Sequence, residues 1–91
     1  MEPDTKKTCQ TRLNRVEGQV RGVAKMIEAD RYCIDVVTQV QAIIAALRRV
    51  EGEIIKDHIS HCVERAISSS NKQAQRQKVN ELVETLARAR S

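Results

Sequence analysis

Residues 32–62 read YCIDVVTQVQAIIAALRRVEGEIIKDHISHC. No proline interrupts them, and Gly52 alone argues for a break. Val37, Val40, Ile44, Leu47, Ile54 and Ile55 recur at roughly heptad spacing, the mark of a helix with one apolar stripe. The pattern predicts one helix over about residues 32–67. At 1.5 Å per residue it is roughly 50 Å long, too long for a lone small globule, and a helix of that length usually spans a dimer.

The two ends of this stripe carry candidate metal ligands. Residues four apart lie on one helix face, so His58 pairs with Cys62, while His61 points about 100° away from Cys62 and is a bystander. Cys33 lies 25 residues before His58, and 25 steps of about 100° return to within roughly 20° of the same direction. Cys33, His58 and Cys62 therefore share the face of the apolar stripe. Along a straight helix Cys33 and His58 stand almost 40 Å apart, about the rise of 25 residues, so one chain alone cannot bring them to one ion. Two antiparallel copies can, with Cys33 of one meeting His58 and Cys62 of the other. The two-fold axis then falls near Ala45, Ala46 and Leu47, where two small residues suit a close crossing, and two equivalent sites result.

Two thiolates and one imidazole form a soft set of three, which favours Cu(I). Structural zinc takes four ligands and would need Cys9 or a water in addition. Cys33 falls in the first turn of its helix, where the helix dipole favours an anionic ligand. Taken singly, each residue suits a plain apolar helix position, since a free cysteine is commonly a small buried hydrophobe. The agreement of all three on one face is what raises the metal reading.

Before this segment, Leu13, Val16, Val20, Val23 and Ile27 predict a helix over about residues 8–29. Gly18 and Gly22 weaken it by about 1 kcal/mol each relative to alanine, but small residues four apart can admit a close neighbour. Residues 1–8 read as a frayed basic arm. EADRYC reads as a turn, with Asp30 as a candidate N-cap of the long helix. After a polar SSSNKQ loop, Val79, Leu82, Val83 and Leu86 mark a third helix over about residues 73–89. No segment shows strand alternation followed by a hairpin turn. The fold class is all-α.

The 91 residues suit a single domain, and 1% aromatic content leaves a core of aliphatic side chains and alanine. A chain this small often completes its core by oligomerising. Sixteen Lys and Arg against twelve Asp and Glu give a net charge of +4, which permits a polyanionic partner without requiring one. The polar start and the lack of any long apolar run predict a cytoplasmic protein with no membrane segment. Three cysteines, an odd number, then read as ligands, sensors or core residues rather than a disulfide framework.

The stretches RLNRVEGQVRGVAKMIEADRYCIDVVTQVQAIIAAL and DHISHCVERAI resemble the CsoR/RcnR-like family of bacterial metal-sensing transcriptional repressors. The resemblance covers nearly the whole chain. It rests on a Tyr-Cys pair followed by histidine 25 residues and cysteine 29 residues after the first cysteine. It implies a three-helix protomer, an antiparallel four-helix-bundle dimer core, and a homotetramer built as a dimer of dimers. It also implies a repressor that binds double-stranded operator DNA when metal-free and releases it on binding Cu(I) as regulatory ligand. By position, Cys33, His58 and Cys62 match the copper ligands, and Tyr32 and Glu81 match the pair that supports the ligating imidazole. Nickel and cobalt sensors of the family use more histidine, formaldehyde sensors lack the second cysteine, and persulfide sensors lose the histidine, so His58 favours copper. Cys9 departs from the usual pattern; it is expected to be an exposed thiol without a role, though a sulfur-sensing role stays open.

No helix-turn-helix, zinc finger or glycine-rich phosphate loop is recognisable, and Tyr32 alone cannot stack on bases. DNA would be held by contacts to phosphates, with shape readout. Candidate residues are Arg12, Arg15, Arg48 and Arg49, with Lys6 and Lys7 on the arm; the resemblance points to Arg12 and Arg49 in particular. The alternative within regulation is a persulfide- or oxidant-sensing repressor using Cys33 and Cys62. A copper-buffering protein and a purely structural helical oligomer are the rivals outside it. No activated nucleophile or acid–base pair sits in an evident pocket, so an enzyme is not expected.

Overall fold

The computed structural model describes residues 1–68 and 71–90, apart from the side chains of Cys62, Val63, Ala66, Ile67, Ala89 and Arg90. Helix α1 spans Pro3–Glu28, α2 spans Cys33–His58, a π-helical turn spans Ile59–Val63, α3 spans Glu64–Ser68 and α4 spans Lys72–Arg90. The described residues contain no strand, as the all-α expectation requires. Contacts gather into two compact units, Met1–Ile55 and Lys56–Ser91.

In the first unit, α1 starts five residues earlier than its apolar stripe suggests, and the expected basic arm is helical. Pro3 occupies the first turn, where its missing N–H costs nothing and its fixed φ suits a helix. Asp4 places a negative charge against the positive end of the helix dipole. The Glu2 carbonyl accepts the Lys6 N–H at 2.9 Å, closing the first turn.

Packing supplies the rest. Cys9, Val16 and Val50 are the buried side chains, and Thr5, Arg12, Val23, Met26, Val36, Ile43 and Ala46 are half-buried. On α1 the inward positions 5, 9, 12, 16, 23 and 26, and on α2 the positions 36, 43, 46 and 50, follow heptad spacing, so the two helices form a hairpin with one inner seam. Cys9 is only 4% exposed, which corrects its expected exposure. Its position seven residues before Val16 puts it on the inner seam, where a small, weakly polar side chain fits.

Leu13, Val20 and Ile27 of α1, and Val37, Val40, Ile44, Leu47 and Ile54 of α2, remain exposed. They form a second set with the same period, so each helix carries one seam used within the chain and one left over. Among the described residues nothing comes within 4 Å of a Cβ built at Gly22 or Gly52, so neither glycine serves a close contact with them. Helix α2 runs through Gly52 unbroken.

The α1–α2 turn differs from the expected one. Asp30 does not cap α2; it takes φ 54°, the left-handed conformation that ends α1. Its N–H donates to the Ile27 carbonyl at 3.1 Å, and the Arg31 N–H donates to the Met26 carbonyl at 2.9 Å. These are the two bonds of a Schellman closure. The Tyr32 carbonyl accepts the N–H groups of Asp35 and Val36, at 3.0 and 3.2 Å, and opens α2.

In the second unit, α3 and α4 pack on each other and on the π turn. Asn71 caps α4: its Oδ1 accepts the N–H groups of Gln73 and Ala74 at 3.0 and 3.2 Å. No helix among the described residues is long and apolar enough to cross a membrane.

Candidate metal centre and basic cleft

Cys33 is the first residue of α2 and carries a free, exposed thiol. It lines a cleft of about 340 Å³ with Ile27, Asp30, Arg31, Val36 and Val37, at the turn end of the hairpin. The Schellman closure and the Tyr32 carbonyl bonds fix the backbone on both sides of it. Tyr32 itself is 68% exposed.

His58 is the last residue of α2 and is half-buried. The π turn begins at the next residue. Across it the hydrogen bonds run from i to i+5, so a turn holds more residues than in an α-helix. Position 62 then falls just short of a full turn from position 58, where an α-helix would overshoot. The Cys62 side chain lies outside the described residues. π turns concentrate at functional sites, and α4 packs on this one.

His61, read from the sequence as a bystander, stands near an acid on its own helix. Its Nε2 lies 3.8 Å from Oδ1 of Asp57, one helical turn back, and Asp57 is nearly buried. That distance is too long for a hydrogen bond and makes an ion pair only when the imidazole is protonated. Glu81 is exposed on α4, with Oε2 3.5 Å from Nζ of Lys78. Among the described residues of the chain, no three His, Cys, Asp or Glu side chains come together as a metal site.

The candidate DNA-contacting cations divide clearly. Arg12 and Arg15 of α1 and Arg49 of α2 line one cleft in the first unit, together with Lys7, Thr8 and Thr11. Arg48 is exposed but does not line it. Arg21 is already neutralised by Glu17, Nη1 to Oε1 2.7 Å. The sequence placed Lys7 on a frayed arm rather than in a cleft, and it missed Thr8 and Thr11 because they carry no charge. Thr8, Thr11, Arg12 and Arg15 fall at i, i+3, i+4 and i+7 on one face of α1, and the extension to Pro3 brings Lys7 onto the same helix.

Residues 5–88 match the family described as metal-sensitive transcriptional repressor. The chain is 60% identical over 57 residues to the copper-sensing transcriptional repressor RicR of Mycobacterium tuberculosis, a match covering 63% of this chain and 59% of that protein. It thus spans well under two thirds of that relative's length. Its fold superposes with TM-score 0.88 on the copper-sensing repressor CsoR with Cu(I) from Geobacillus thermodenitrificans, at 38% identity and covering 100% of this chain and 92% of that one. It superposes with TM-score 0.77 on the nickel-responsive transcriptional regulator InrS, at 39% identity, covering 90% and 89%. Similar identity to a copper sensor and a nickel sensor leaves the choice of metal to the ligand set. The relatives are regulators, not enzymes, and the chain belongs to the family of metal-sensitive transcriptional repressors.

Proposed function

We propose that the protein is a cytoplasmic, copper(I)-responsive repressor that binds operator DNA when metal-free and releases it when Cu(I) binds. The observation that carries this reading is the leftover apolar seam of α2. Val37, Val40, Ile44, Leu47 and Ile54 are exposed between a cysteine that opens the helix and a histidine that ends it. Such a seam asks for a mate of the same period, and a second copy running antiparallel supplies one. Cys33 of one protomer then joins His58 and Cys62 of its partner, twice per dimer. Two thiolates and an imidazole suit Cu(I) in low coordination better than nickel, which prefers nitrogen and oxygen donors in larger number. Similarity to the Cu(I) complex of the Geobacillus repressor supports the same choice.

Tyr32 and Glu81 would orient the His58 ring by hydrogen bonding, which fixes its tautomer and raises its basicity as a ligand. Arg12, Arg15, Arg48 and Arg49 would hold phosphates of the operator, and two dimers would associate as a tetramer to span it. Bridging two α2 helices with copper fixes their relative angle, and that angle also sets the spacing of the cations on each hairpin. Allosteric couplings are typically about 1–3 kcal/mol, and a switch from almost fully bound to almost fully released needs roughly 5.5 kcal/mol, so several sites acting together suit the task.

The exposed thiol of Cys33 favours one second reading, a repressor that senses persulfide or oxidant by linking Cys33 to Cys62 of the partner. Anaerobic Cu(I) titration of the wild type and of His58→Ala, followed by an operator-release assay, separates the two. The copper reading expects release by the wild type and none by His58→Ala at the same free copper. Release by His58→Ala at wild-type copper levels would remove His58 from the site.

A further inference from the structure

Arg12 occupies an inner-seam position of α1, three residues after buried Cys9 and four before buried Val16. Its aliphatic stem is therefore packed while its head reaches the edge of the hairpin, as long cationic side chains do when they line apolar surface. The consequence is a buried Nε with no hydrogen-bond partner among the described residues. An orphaned donor destabilises a fold unless a ligand takes the hydrogen bond. The surrounding cleft, of about 440 Å³, is lined by Lys7, Thr8, Thr11, Arg12, Arg15 and Arg49. Four of the six are cations, two bear hydroxyls and none is a carboxylate. Elsewhere on α1 the Arg21 guanidinium has found Glu17.

We propose that this cleft is a seat for a single phosphate group, held by the Arg12 guanidinium and the Thr8 and Thr11 hydroxyls as hydrogen-bond donors, with Lys7, Arg15 and Arg49 supplying field. The proposal rests on the DNA-binding reading above and deepens it by adding Thr8 and Thr11 and by placing Lys7 in the same cleft. A planar guanidinium meets two phosphate oxygens at once, which an ammonium cannot do. The donors lie on α1 while Arg49 lines the same cleft from α2, so the field at the seat responds to any change in the packing of α1 on α2. The same chemistry admits two sources, a phosphodiester of duplex DNA and a free polyphosphate anion.

The test measures binding of the intact metal-free protein to a 30-base-pair duplex and to inorganic tripolyphosphate, over a range of salt. The variants are Arg12→Lys, the double variant Thr8→Val with Thr11→Val, and Arg12→Gln. Helicity and thermal melting check each fold, and the exposed threonine pair keeps the test open if Arg12→Lys melts early. Arg12→Lys and the threonine double variant each lower duplex affinity about tenfold. The slope of log affinity against log salt does not change, because no charge is lost. Arg12→Gln lowers both the affinity and the slope, the latter by about 0.9 for each chain bound. Wild-type affinity in both charge-conserving variants would show a diffuse positive field and overturn the seat, while leaving the DNA-binding reading intact. A wild type that binds no duplex, yet binds tripolyphosphate with the same dependence on Arg12 and the threonines, would uphold the seat and overturn DNA as its occupant. Binding of neither probe overturns both.

Discussion

Replacing Ile44 by alanine tests the leftover seam at its centre. Ile44 is 47% exposed in the protomer, so roughly half of its side chain stays available for a partner. Full burial of an isoleucine is worth about 1.5–3 kcal/mol, so the remaining half contributes about 1 kcal/mol per protomer. An isologous antiparallel pair counts the position twice, which gives about 2 kcal/mol per dimer. That corresponds to a dissociation constant roughly 30-fold higher, at about 1.4 kcal/mol per decade. The better helix propensity of alanine stabilises monomer and dimer alike and cancels from the association equilibrium. Sedimentation equilibrium of metal-free protein across a concentration series measures the change, with Gln39→Ala as a control off the seam. A dissociation constant for Ile44→Ala within twofold of the wild type would refute the use of this seam in pairing.

Three further outcomes follow from local geometry. Asp30→Gly raises the melting temperature at fixed protein concentration, because the left-handed φ of 54° costs a side-chain-bearing residue about 1 kcal/mol that glycine does not lose. Asn71→Ala lowers stability by about 1 kcal/mol, since the N–H groups of Gln73 and Ala74 lose their acceptor; thermal or urea unfolding reads the loss. Thiol labelling of the native metal-free protein modifies Cys33 well before Cys9, with sites identified by peptide mass, because Cys9 becomes accessible only as the hairpin opens.

The sequence disclosed the long second helix and its stripe because one residue class repeats there without interruption. The same signal on α1 could not be divided. Leu13, Val16, Val20, Val23 and Ile27 are alike in type, and only the structure separates Val16 and Val23, turned inward, from Leu13, Val20 and Ile27, left exposed. The seam's continuation through Cys9 and Arg12 was hidden because neither is one of the aliphatic residues whose repeat marks the helix. The two cleft threonines, Thr8 and Thr11, gave no signal because they are uncharged. Asp30 was misplaced for another reason: aspartate both caps helix starts and tolerates the left-handed conformation that ends them, and composition does not choose between the two. The π turn has no signal in the sequence at all. It lies across the histidine and cysteine whose spacing suggested a site, and it alters how a four-residue separation translates into direction.

The central claim is that each copper site draws on two chains, and a mixed-dimer experiment reaches it most directly. Cys33→Ala and His58→Ala proteins are unfolded and refolded together in equal amounts, then titrated with Cu(I) against a competing chelator. Neither variant alone retains a complete site. In a mixed antiparallel dimer one site loses both its substituted ligands, and the other keeps all three. Tight copper binding therefore returns in the mixture, at one site for each mixed dimer. A mixture that binds copper no better than either variant alone would contradict a site shared between chains.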